Sequence, residues 1–359
     1  MGLGNFLLEM SNLFTINRWN NRPALLRFTE ADNLFNSIAL SLFTYEELEK
    51  KDTIKIVHNK IIDVIPKVVL SDVSLNTKNR INNIDKNIWQ KVKDSAIEDI
   101  KNMIEDDKVV EIIYKYKLNE DIVETEKLIS YLVSKKEVEF NRRVFPEYYD
   151  EPYKETEEEI KKIITPYSYK LEKYNDFLLN TTFRLSSMIR WNKSQRNIES
   201  SVAAHSFFVL TISYFLANLF ELNEDQIYDI IIASTLHDLP ESFTGDVISP
   251  TKRKVNGLED IITEIENDYV EKWMIQNSYI NQVMKRFKNY VINPFENDYG
   301  QIVRTADLLA AILECSMEIK TGNQNNLFRK AFFSTKKEIK SICPYDISSL
   351  IDEIEYKTF

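Results

Sequence analysis

The chain has 359 residues, with 43% hydrophobic and 28% charged content. That is the balance of a soluble globular protein, and the length points to two domains because single cores stop growing before that size. A net charge of −10 argues against a general nucleic-acid binder, whose affinity rests on Lys and Arg neutralising phosphates. The two cysteines, Cys315 and Cys343, imply no disulfide framework and fit a reducing cytoplasm.

With only 6 Gly and 9 Pro, turn signals are few and most segments carry helical periodicity, so an all-α fold is predicted. An opening helix over 5–14 runs into Ile16-Asn-Arg18-Trp19. His58 has no partner at ligand spacing and reads as a surface or satisfied core histidine. Residues 107–119 are ambiguous between a helix and a short hairpin strand. The segment 141–165 is rich in Glu, Lys, Tyr and Pro, and its run Glu155 to Lys162 reads as a solvated helical face. A domain boundary is placed there, giving domains 1–167 and 168–359.

The second part opens on Met188-Ile-Arg190-Trp191 and then Ser201-Val-Ala-Ala204-His205-Ser206, which sets an imidazole near the start of an apolar helix. The apolar run from Phe207 to Phe220 is too short to span a bilayer and carries Thr211, Ser213 and Asn218, so a buried helix and no membrane segment are expected. The N-terminus lacks a basic stretch leading into an apolar core, so no leader is expected. A core helix over Tyr228 to Leu236 leads into His237-Asp238-Leu-Pro240-Glu241-Ser-Phe-Thr244-Gly245-Asp246. Imidazole and carboxylates crowded around a turn suit a divalent cation, whose charge removes their mutual repulsion. Further on come Ser249-Pro250-x-Lys252 and, within an otherwise apolar helix, Asp307. A lone acid on a buried face is costly unless paired or metal bound.

Singly, His205 reads as a core histidine bonded to backbone, and Asp307 as a buried acid paired with Arg304. Jointly with His237 and Asp238, and with two of only three histidines on these positions, a metal site is the better reading. Two imidazoles and two carboxylates suit one ion of Mn, Fe, Co, Ni or Zn better than Ca.

The order His205, then His237-Asp238, then Asp307 resembles the HD-domain phosphohydrolase superfamily, all-helical enzymes that bind a divalent metal through those four residues. Arg190-Trp191, the His-Asp-x-x-Glu run, Thr244-Gly245-Asp246, Ser249-Pro250-x-Lys252 and Ala306-Asp307 make it most similar to the 5'-deoxynucleotidase branch, over about residues 174–343. Two departures bear on substrate choice or rate: Ala204-His205-Ser206 where that branch commonly has Glu-His-Ser, and Ser249 where a Thr commonly begins the Thr-Pro-x-Lys pattern. The resemblance implies removal of the 5'-phosphate from (deoxy)nucleoside monophosphates by attack of a metal-bound water. Arg190 would grip the phosphate and Trp191 would pack on the sugar face. Glu241 and Asp246 would position the water or protonate the leaving oxygen, and Ser249 and Lys252 would add to substrate binding. One alternative keeps the metal and changes the substrate to a nucleoside triphosphate, cyclic nucleotide or alarmone. Another is a nucleotide-sensing or scaffold protein with vestigial catalysis. A cytoplasmic location is expected.

The first half echoes the second. Setting Arg18-Trp19 on Arg190-Trp191 gives an offset of 190 − 18 = 172, which brings Asn33 onto His205. At 237 − 63 = 174, Asp63-Val64-Ile-Pro66-Lys67 lies on His237-Asp238-Leu-Pro240-Glu241, and Ser71 meets Gly245. The counterpart of Asp307 falls near Lys127. The expectation is two tandem HD-type domains in which the first has lost its ligands, is catalytically dead, and packs on the second as an intramolecular pseudo-subunit.

Overall fold

Scarce glycine and proline leave long runs free to coil, and the computed structural model is built of helices. It describes all residues except 1, 72, 74, 117–119, 248, 253 and 297–298, with backbone alone for 75, 76, 79, 120, 121, 249 and 250. In chain order the helices are α1 (Leu3–Met10), α2 (Glu30–Thr44), α3 (Lys50–Leu70), α4 (Leu75–Ile84), α5 (Ile88–Met103) and α6 (Asp107–Ile113). Then come α7 (Glu120–Arg142), α8 (Pro146–Lys162), α9 (Ser168–Ser187), α10 (Val202–Leu219), α11 (Glu224–Leu236) and α12 (Glu241–Thr244). The last are α13 (Ser249–Lys252), α14 (Leu258–Met274), α15 (Ser278–Ile292), α16 (Gly300–Lys320), α17 (Asn326–Ile342) and α18 (Ser348–Thr358). Among the described residues the β pairing amounts to two isolated antiparallel bridges, Asn17 with Thr29 and Ile189 with Ser201.

Two local expectations need correction. The opening helix stops at Met10, and a 3-10 turn over Ser11–Phe14 continues it. The ambiguous stretch is helical through Ile113, while residues 117–119 lie outside the described residues.

Sequence sets the helix starts. Thr29 and Asp32 form a reciprocal capping box at the start of α2, Asn223 and Gln226 do the same for α11, and the Ser201 side chain caps α10. Each such cap satisfies orphan N–H groups and is worth about 1 kcal/mol.

Helix α10 is apolar nearly all round, which calls for neighbours on every side; it packs against α2, α9, α11 and α16. Its 18 residues are long and apolar enough to cross a membrane by those two criteria alone, which corrects the length argument, but 89% of them are buried inside the fold. Residues from both sides of position 168 form one continuous hydrophobic cluster. Phe14 stacks on Phe208 at 4.2 Å and Phe6 meets Phe215 edge-on at 5.3 Å. The Thr44 and Tyr174 hydroxyls lie 2.7 Å apart.

His58 belongs to this seam. It is 1% exposed, with Nδ1 2.9 Å from the Tyr214 hydroxyl and the Tyr116 ring edge-on. Burial, and secondarily the Lys115 charge, push its pKa down to about 4. The folded value lies below the unfolded one, so the stability His58 contributes is complete above about pH 6.5 and is lost as pH falls toward 4. Between pH 7 and pH 4 the wild type should lose about 3 kcal/mol more than His58→Phe in denaturant titrations. Equal losses would remove His58 as the source.

Candidate metal centre and the pocket around it

The core of the site is assembled by three helices. Ser201 starts α10, so His205 falls within its first turn and is fully buried. Helix α11 delivers His237 as its C-cap residue, with Asp238 next. Helix α16 carries Asp307 two turns from its start. Pro240 and Gly245 bracket α12; the φ of +83° at Gly245 is one that side-chain-bearing residues rarely adopt, and it turns the chain so that Asp246 faces back toward Arg190 and Asp238.

Ligand atoms of His205, His237 and Asp238 all lie within 4.8 Å of one another. Asp307 joins them, with Oδ1 3.0 Å from His205 Nε2, while its Oδ2 accepts from Arg304 at 2.7 Å. The sequence alternatives for Asp307 therefore coexist: it pairs with Arg304 and also faces the cluster.

These groups fit a cation. The His237 ring is held by Nδ1 against the Ser234 carbonyl at 2.9 Å, which aims Nε2 at the cluster. That Nε2 lies 3.2 Å from Asp238 Oδ2 yet is off the line of a hydrogen bond and is a buried atom without a partner. Burial, the largest influence, pushes the His237 pKa down, but Asp238, Asp307 and the Ser234 carbonyl together outweigh it and the net shift is upward. Burial likewise opposes ionisation of Asp238, but His237, His205 and Arg190 hold its pKa down to about 2. Both shifts say that the pair favours a positive charge between its members, which a divalent ion supplies in place of a proton.

Around the cluster, Glu314 is the organiser. Fully buried, it accepts from Trp191 Nε1 at 2.8 Å, from Arg190 Nε at 3.3 Å and from Ser200 Oγ at 2.5 Å, and lies 3.9 Å from His205 Nδ1. Burial opposes its charge, but Arg190, His205 and Arg196 hold its pKa at about 2. Asp307 lies on the Nε2 side of His205, and Glu314 lies on its Nδ1 side, beyond hydrogen-bond distance. Glu314 was missed in the sequence, although it is the same kind of signal as Asp307: a lone acid seven positions on, on the same face of the same apolar helix.

Glu241 begins α12, and one of its carboxylate oxygens is buried without a hydrogen-bond partner. Burial first, then the Asp238 and Asp246 charges, hold its carboxyl well above the usual range. Burial and Asp238 raise Asp246 too, against the pull of Arg190. Lys252 is engaged by Glu266 of α14 at 3.6 Å, and Thr244 donates to the same carboxylate at 3.4 Å. Glu266 sits in a charged run that reads as a solvated face, so nothing in the sequence marked it. The Ser249 side chain lies outside the described residues.

The corresponding turn of the first half has the same hydrogen bonds. Arg18 and Arg190 donate their N–H groups to Phe28 and Ser200 at 2.8 and 2.9 Å, and Glu30 and Val202 donate to Ile16 and Met188, each at 3.0 Å. Trp19 and Trp191 share positive φ values of 56° and 57°, strained for so bulky a residue. Trp19 Nε1 donates to Glu137 at 2.8 Å, as Trp191 does to Glu314. An offset of 314 − 137 = 177 puts Ser130 opposite Asp307, three positions from the expected Lys127. Among the described residues no ligand set accompanies this turn: Asn33 donates to Glu137 at 2.8 Å, and Arg18 and Lys67 pair with Glu30 at 3.1 and 2.5 Å. Those cations hold Glu30, despite its burial, at a pKa of about 2. Asp72, set opposite Asp246, lies outside the described residues.

A family model described as 5'-deoxynucleotidase YfbR-like matches residues 177–357. The 5'-deoxynucleotidase PM0747 of Pasteurella multocida (strain Pm70) is 30% identical over 160 residues, 42% of this chain and 79% of that protein. A 4'-phosphooxetanocin A phosphatase from Priestia megaterium is 25% identical over 154 residues, 41% of this chain and 76% of that protein. The crystal structure of an HD-domain phosphohydrolase from Listeria innocua superposes with a TM-score of 0.41 at 19% identity, covering 52% of this chain and 86% of that one.

Proposed function

The chain belongs to the YfbR-like 5'-deoxynucleotidase family and is a nucleotide phosphohydrolase, and from that premise we propose that it removes the 5'-phosphate from deoxynucleoside monophosphates at the His205–His237–Asp238–Asp307 cluster. The observation that carries this reading is the buried His237 Nε2, 3.2 Å from Asp238 Oδ2, with the ligand atoms of His205, His237 and Asp238 all within 4.8 Å of one another. A divalent ion there would polarise a phosphoryl oxygen and make a bound water acidic enough to ionise near neutral pH. Two ionised carboxylates, Asp238 and Asp307, with Glu314 behind them, would otherwise repel a phosphate dianion, which supports a cation as an obligatory part of the site.

The residues divide the remaining work. Glu314 fixes the Nε edge of Arg190 and the indole N–H of Trp191, so the guanidinium is pre-set to meet phosphate oxygens and the ring to wall the sugar. Burial and the neighbouring Asp238 and Asp246 charges raise the Glu241 pKa and so favour its acid form, the state needed to protonate a leaving 5'-oxygen. Asp246 then serves to orient the attacking water. Arg190 and Lys252, paired with Glu314 at 3.3 Å and Glu266 at 3.6 Å, are the cations proposed to meet the phosphate. The test is phosphate release by metal-replete protein. Wild type should release phosphate from deoxynucleoside 5'-monophosphates, and Glu241→Ala and Asp246→Ala should keep their metal but lose about 10²–10⁴-fold in turnover. Variants that turn over at the wild-type rate would remove both roles.

For the first half we propose a degenerate copy of the second that packs on it as a built-in partner. The matched turns at Trp19 and Trp191 and the shared glutamate clamp support it. Lys67, at the position of Glu241, takes part in an ion-pair network with Glu30, Arg18 and Glu137, so positive charge in this half is supplied by side chains.

A further inference from the structure

Helices α2 and α10 meet near their N-termini, and one carboxylate serves both. Asp32 is 3% exposed. Its Oδ2 accepts from the Thr29 backbone N–H at 2.8 Å and the Thr29 hydroxyl at 2.7 Å, closing the capping box of α2. Its Oδ1 accepts from the hydroxyl of Ser201, the N-cap of α10 in the other half of the chain. Thr29 and Ser201 occupy the same place in the two halves, since 201 − 29 = 172. At the same offset Asp32 corresponds to Ala204, so α10 has no acid of its own at its third position. The carboxylate that α10 lacks comes from α2.

We propose that Asp32 is a positioning residue for the metal cluster, fixing through Ser201 the first turn of α10 and with it His205. This rests on the cluster being a metal site, as proposed above. The chain of contacts is short. Ser201 Oγ accepts from the Ala204 N–H at 2.9 Å, so its own proton is spent on Asp32 and the hydroxyl is held in one orientation. The Ser201 carbonyl in turn accepts from the His205 N–H at 3.0 Å. Two helix N-termini facing each other place partial positive charges together, and an anion between them offsets that repulsion. The geometry also demands an acceptor at both oxygens. An asparagine at position 32 would turn its amide N–H against the Thr29 N–H or deprive the Ser201 proton of its acceptor. Asp32 touches neither substrate nor ligand, and its effect is exerted through placement alone.

The test is Mn²⁺ affinity of the full-length, metal-stripped protein, measured by titration beside a denaturant midpoint for each variant. Asp32→Asn and Ser201→Ala should each weaken Mn²⁺ binding on the order of tenfold or more, the scale found when an outer support of a metal ligand is removed. Ser201→Thr, which keeps a capping hydroxyl, should restore near wild-type affinity. The double variant should bind no worse than the poorer single one, because both changes break one link. If Asp32→Asn destabilises α2 through its own capping box, Ser201→Ala leaves that box intact and carries the test. Folded Asp32→Asn or Ser201→Ala with wild-type Mn²⁺ affinity would overturn the proposal while leaving the metal site standing. Wild type that takes up no Mn²⁺ would overturn the metal-site reading and this one with it.

Discussion

Asp238→Ala is expected to purify folded, without bound metal and without detectable phosphatase activity. Asp238 is buried and ionised, with His237, His205 and Arg190 all favouring its charge. It lies 3.2 Å from the unpartnered Nε2 of His237. Removing it leaves two buried imidazoles and Asp307, a set with one hard anionic ligand in place of two, and weakens the very charge preference that draws a cation in. Elemental analysis alongside circular dichroism reads the outcome. A folded variant that retains stoichiometric metal would take Asp238 out of the ligand set.

Residues 168–359 expressed alone are expected to aggregate or self-associate. The fragment contains the whole cluster, so the reason lies in packing. It would uncover Phe208 and Phe215, which Phe14 and Phe6 cover. It would also uncover Tyr214, which His58 covers, and Phe183, which Phe28 meets edge-on at 5.3 Å. Burying each such side chain is worth about 1.5–3 kcal/mol, and a domain's net stability is only about 5–15 kcal/mol. Losing several at once consumes that margin, and the exposed face invites a second copy. Size-exclusion chromatography with light scattering and an activity assay decides it. A well-behaved, fully active monomer would sink the idea of a built-in partner.

The parts of the site legible in the sequence are those whose signal is local. His237-Asp238 is an odd pairing at the end of an apolar helix, and Asp307 is an acid where only apolar residues belong, so both could be read without knowing what they face. Glu314 carries the same signal, an acid in the same apolar helix seven positions on, but no neighbouring motif residue sets it apart. Glu266 and the Asp32–Ser201 link could not be read that way. Glu266 lies among exposed charges on α14, and whether it faces the pocket depends on how that helix is rotated. Asp32 and Ser201 are 169 positions apart in the chain, each looks like an ordinary capping residue, and only the packing of α2 against α10 joins them. The fold class followed from periodicity and sparse turn residues. The lengths of the opening helix and of the apolar run differ at their boundaries, where a 3-10 turn ends the first and five further residues at the start of α10 extend the second.

The most direct measurement is inorganic phosphate release from matched 2'-deoxy and ribonucleoside 5'-monophosphates and the corresponding triphosphates, with the protein metal-stripped and then reconstituted with Mn²⁺ or Co²⁺. The expected result is release from 5'-monophosphates only after reconstitution, with the deoxy substrates preferred and the triphosphates poor. Release that persists in the stripped protein, or reconstituted protein that spares monophosphates and cleaves triphosphates, would contradict it.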